Sequence, residues 1–79
     1  MMPTVLRIGE FRFFFFSNEG REPPHIHVEA GDGYAKFRLQ PATLAFSVGL
    51  SPTSLRTLRK LVAENESRLL EAWDGYFSR

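Results

Sequence analysis

Two histidines stand two residues apart in the run Pro23-Pro24-His25-Ile26-His27-Val28-Glu29, and the 79-residue chain has no others. Alternation along a strand sends both imidazoles, and Glu29 with them, to one face. Imidazole is the side chain that exchanges a proton near neutrality. A pair of them supports general acid–base chemistry, and a pair joined by a carboxylate supports a zinc-type ion. On the same face the pattern places Arg7, Arg12, Lys36 and Arg38, cations suited to phosphate, with Phe14 and Phe16, rings suited to stacking on bases.

The elements that must position these residues follow from the alternation of apolar and polar positions. Residues 4–16 read as a hairpin turning on Gly9-Glu10, which pairs Ile8 with Phe11, Leu6 with Phe13 and Thr4 with Phe15. The opposite face then carries Arg7 across from Arg12 and Val5 across from Phe14. Residues 17–24 form a polar loop ending in a stiff diproline. A second hairpin turning on Asp32-Gly33 pairs Ala30 with Ala35, Val28 with Phe37 and Ile26 with Leu39. It sets Glu29 against Lys36, His27 against Arg38 and His25 against Gln40. A fifth strand over 43–48 points Leu44, Phe46 and Val48 inward.

Ser51-Pro52 opens a helix, serine as N-cap and proline at its first position. Its apolar stripe is Leu55, Leu58, Val62, Leu69, Trp73 and Tyr76, widened by Leu61, Leu70 and Phe77, and its length implies either a bend near Asn65 or an overhanging end. The expected class is α+β: an antiparallel meander of four to five strands, two hairpins plus a short fifth strand, packed on one face by a long C-terminal helix. Length allows one domain over 1–79.

Absence of cysteine excludes a disulfide framework and thiolate metal sites and fits a cytoplasmic protein. Met1-Met2-Pro3 opens no export signal, and the four phenylalanines from 13 to 16 are too few to span a bilayer, so no membrane role is expected. The net charge of +1 makes any basic character local.

Three chemistries compete for the histidine-bearing face. As a metal site it would use His25, His27 and Glu29, but the register sets Arg38 and Lys36 across from His27 and Glu29. Positive charge then stands where a cation would go, so no metal and no other cofactor is expected. As an anion or nucleic-acid surface it would use Arg7, Arg12, Lys36 and Arg38 for phosphate and Phe14 and Phe16 for bases, with His25 and His27 as a catalytic acid–base pair in a ribonuclease-like alternative. As an interaction surface it would bind a protein partner, since small chains gain stability by oligomerising.

Glu22-Pro23-Pro24-His25-Ile26-His27-Val28, together with Met2-Pro3-Thr4, Ala35-Lys36-Phe37, Leu55-Arg56 and Leu69-Leu70-Glu71-Ala72-Trp73, resembles domain-of-unknown-function family 4160. The resemblance spans nearly the whole chain. It implies a short bacterial protein encoded beside another small protein, in a layout like that of toxin–antitoxin modules. It supplies no catalytic residue; His25 and His27 fall on the family's signature. The reading adopted is a cytoplasmic, partner-binding, toxin–antitoxin-like module. Its partner would be a small protein encoded nearby or a second copy, and nucleic acid is a further candidate for the same face.

Overall fold

The computed structural model describes residues 4–77. The Met1-Met2-Pro3 start lies outside them. Strands β1 (Thr4–Ile8), β2 (Phe11–Phe14), β3 (His25–Ala30), β4 (Gly33–Arg38) and β5 (Thr43–Val48) are followed by α1 (Pro52–Glu64) and α2 (Glu66–Tyr76). The strands form one antiparallel sheet in the order β1-β2-β3-β4-β5, so every strand pairs with its neighbour in sequence. The expected α+β meander is therefore the architecture observed.

One face of the sheet makes the core. Phe11, Phe13, Phe15, Ile26, Val28, Ala35, Phe37 and Leu39 pack with Leu58 and Val62 of α1 and Leu69 and Trp73 of α2. Each large side chain so buried contributes roughly 1.5–3 kcal/mol. Ser51 caps α1 as expected, its hydroxyl accepting from the Ser54 N–H at 3.0 Å. The helical segment is not continuous. At Asn65 (φ −109°, ψ 14°) the chain breaks, and the Asn65 amide donates to the Leu61 carbonyl at 2.8 Å. Two short helices thus follow the sheet where one straight helix would overrun it. Tyr76 is 45% exposed, at the rim of the stripe rather than in the core. Among the described residues no helix is long and apolar enough to cross a membrane.

Three details of register differ from expectation. The first hairpin turns on Gly9-Glu10 and pairs Ile8, Arg7 and Leu6 as expected, but a bulge then sets Thr4 opposite Phe14 instead of Phe15. The second hairpin turns on Gly31-Asp32, one residue earlier, with Gly31 at φ 58° as a type II′ turn requires of its first central residue. Its pairs become His25↔Arg38, Ile26↔Phe37, His27↔Lys36, Val28↔Ala35 and Glu29↔Tyr34. A bulge between Lys36 and Phe37 on the β4–β5 seam reverses the parity of β5. Leu44 still packs on the core, but Phe46 and Val48 emerge on the opposite face, each 55% exposed.

Candidate functional site

The face of β3 opposite Ile26 and Val28 carries His25 and His27, yet both are buried, at 2% and 4% exposure. The loop over 17–24 covers them. Two successive backbone bonds shape it: the Glu19 N–H donates to Phe16 at 3.2 Å and the Glu22 N–H to Glu19 at 3.0 Å. The first turn is closed again by the Phe16 N–H donating to Glu19 Oε1 at 2.9 Å. Gly20 then lies so close to Phe77 that a Cβ would stand 2.6 Å from its ring. The loop is thereby seated against the end of α2, with the Glu19 carboxylate turned onto the histidines.

Glu19 Oε2 lies 2.9 Å from His27 Nε2, and Glu19 Oε1 lies 3.0 Å from His25 Nε2. His27 Nδ1 meets the Tyr34 hydroxyl at 2.6 Å, and His25 Nδ1 meets the Pro23 carbonyl at 3.0 Å. Aromatic rings wall the cluster. Phe14 stacks on His27 at 5.4 Å, Phe16 meets it edge-on at 4.9 Å, and Trp73 lies 4.9 Å from His25. Burial alone would raise the Glu19 carboxyl, but the Phe16 N–H and the two imidazoles overcome it and hold the group below the usual carboxylate range. Burial holds His27 below its ordinary range, against the pull of Glu19. Tyr34 is raised, by burial first and by the Glu19 charge second.

The residues expected at the site are divided by the structure. All four ring nitrogens of His25 and His27 face protein atoms, so neither histidine offers an exposed acid or base to a bulky substrate. Phe14 is buried, with the Arg12 guanidinium 4.5 Å above its ring, and Phe16 is half-buried. Neither stands free for a base. Arg7 does face Arg12, but Arg12 is held by Glu29 at 2.8 Å and Thr4 at 2.9 Å. Glu29 thus turns away from the histidines, and Glu19 takes the carboxylate position assigned to it in the sequence. Among the described residues Glu19, His25 and His27 form a group whose ligand atoms all lie within 4.8 Å of one another.

In front of the cluster lies an open groove of about 380 Å³, lined by Glu22, Pro23, His25, Lys36 and Arg38. Lys36 reaches toward Glu22 at 3.8 Å, while Arg38 is exposed. Phe46 stands directly across the strand from Lys36, its ring 6.0 Å from Tyr34. Sequence reasoning missed Glu19, Tyr34 and Phe46. Tyr34 follows from the turn once Gly31 is placed in it, and Phe46 from the bulge; Glu19 sits in a loop with no periodicity to reveal it.

No curated protein and no solved structure matches the chain. One family model does, over residues 10–74: a domain of unknown function, DUF4160.

Proposed function

Since the chain belongs to the DUF4160 family, which prescribes no chemistry, the site must speak for itself, and we propose a small binding module that takes a single-stranded nucleic acid along β4 and β5. The observation that carries this reading is Phe46, a 55% exposed ring set across from Lys36 beside a groove that also holds Arg38. Exposed aromatic faces next to cations are how sheet platforms hold bases and phosphates without reading sequence. Lys36 and Arg38 replace the larger basic set expected from the sequence, because Arg12 is committed to Glu29. With two phosphate contacts, the slope of log K against log salt is about −1.4 for a single strand.

The test is fluorescence anisotropy of a labelled single-stranded RNA against the full chain across a salt series. Arg38→Ala should flatten the slope by roughly 0.7, and Phe46→Ala should weaken binding by about 1–3 kcal/mol, the usual worth of one stacked base. Binding that ignores salt, or that survives both substitutions unchanged, overturns it.

A protein partner is the second reading, favoured by Val48, which is 55% exposed beside Phe46 on an edge strand. A small protein encoded nearby, as in toxin–antitoxin pairs, or a second copy would cover that apolar strip. Salt-insensitive association that Val48→Lys abolishes, with no RNA binding, would support it.

A further inference from the structure

The geometry points to a divalent transition-metal site of the zinc type, formed by Glu19, His25 and His27 behind the groove. The geometry at His25 carries the inference. Its Nδ1 lies 3.0 Å from the Pro23 carbonyl. A carbonyl oxygen only accepts, so Nδ1 carries the proton and a neutral ring leaves a lone pair on Nε2. That nitrogen is buried, lies 3.0 Å from Glu19 Oε1, and has no hydrogen-bond partner among the described residues. A buried ring nitrogen without a hydrogen bond, 3.0 Å from a carboxylate oxygen, is an arrangement that a cation between the two would satisfy.

The rest of the cluster is built to the same end. Metal-bound histidines commonly donate their second ring N–H to an oxygen that fixes tautomer and orientation. Pro23 provides that oxygen for His25, and the Tyr34 hydroxyl, 2.6 Å from Nδ1, provides it for His27. Glu19 Oε1 is steadied by the Phe16 N–H at 2.9 Å. The edge of a tetrahedral zinc site is about 3.3 Å, from metal–ligand bonds near 2.0–2.1 Å. The carboxylate–imidazole separations of 2.9 and 3.0 Å, and the 4.8 Å that encloses the group, bracket it. Two imidazoles and one carboxylate suit zinc and its first-row neighbours rather than calcium or magnesium, which favour oxygen ligands. Lys36 stands opposite His27, but its ammonium is within 3.8 Å of Glu22 at the groove. The ion site is independent of what occupies the groove.

The experiment strips the full chain with chelator and titrates it with zinc, reading stoichiometry by native mass spectrometry and melting temperature in parallel. Cobalt is added separately for its visible absorption. One ion per chain is expected, with a melting temperature that climbs with zinc and cobalt bands of a low-coordinate nitrogen–oxygen site. His25→Gln should abolish all three responses. Tyr34→Phe touches no metal, keeps the ring volume, and should weaken zinc 10–100-fold through the lost outer partner of His27; it serves also where His25→Gln does not fold. Arg38→Ala, on the groove, should leave zinc binding unchanged. A wild-type chain that takes up no zinc, or one whose uptake ignores both His25→Gln and Tyr34→Phe, overturns the site.

Discussion

Gly20 offers a sharp test of how the loop is seated. A methyl group there would stand 2.6 Å from Phe77 Cδ1, with two more ring atoms at 3.2 and 3.3 Å. Ordinary contact needs about 1 Å more. The ring has little room to yield, since Trp73, Tyr76 and Phe15 lie 4.4, 5.0 and 5.1 Å from its centre. Overpacking of this kind costs about 1–3 kcal/mol. Against it, alanine restricts the unfolded chain and returns about 0.4–1 kcal/mol where the backbone suits it, and Gly20 is not among the positive-φ residues. Gly20→Ala should therefore destabilise the wild-type chain by about 1–2 kcal/mol. In a Phe77→Ala background the obstruction is gone and the same change should turn mildly stabilising. Urea denaturation followed by the fluorescence of Trp73, the sole tryptophan, reads both cycles. Equal effects in the two backgrounds, within about 0.3–0.5 kcal/mol, would mean that the loop does not rest on Phe77 and that Glu19 is positioned by something else.

Acid should unfold the metal-free protein in two stages. His27 has its folded pKa depressed, chiefly by burial, so its contribution is complete above the unfolded value of 6.5 and is lost as pH falls from there through the folded value. Glu19 is depressed as well, and its contribution is complete above 4.5 and lost at lower pH. Urea midpoints measured in chelator should show His27→Asn removing the upper stage and shrinking the lower one, since His27 helps hold Glu19 down; a flat wild-type profile between about pH 7 and 5 would refute the assignment. Ser51→Ala removes the hydroxyl that accepts from Ser54 and should cost about 1 kcal/mol. Thermal melts should show Ser51→Asp restoring most of it.

The hydrophobic pattern revealed faces well and offsets badly, for a geometric reason. Moving the second turn from Asp32-Gly33 to Gly31-Asp32 shifts every partner by two residues, and two residues is the period of a strand. Apolar residues still meet apolar residues, so the pattern has no power to choose; the positive φ of Gly31 does. The β5 bulge acts the other way. It changes parity by one residue, so a strand whose Leu44, Phe46 and Val48 alternate as though all were inward places two of them in solvent. The helix cap and apolar stripe depend on local chemistry and were legible. Glu19 was not, because a loop residue is placed by turns and by distant contacts such as Gly20 with Phe77, neither of which leaves a spacing in the sequence.

The burial of His25 and His27 changes what a short two-layer protein can do with its second face. Helices α1 and α2 cover one side of the sheet, and a loop of eight residues cannot close the other with hydrophobic area alone. Phe14 of β2 and Phe16 cover part of it, and the loop closes the rest with a carboxylate set between two imidazoles. Such a closure holds only where protons or cations match the acceptors, and at His25 Nε2 they do not. His25 also lines the groove, together with Lys36 and Arg38. A positive charge brought between Glu19 and His25 would therefore complete the closure of this face by the loop.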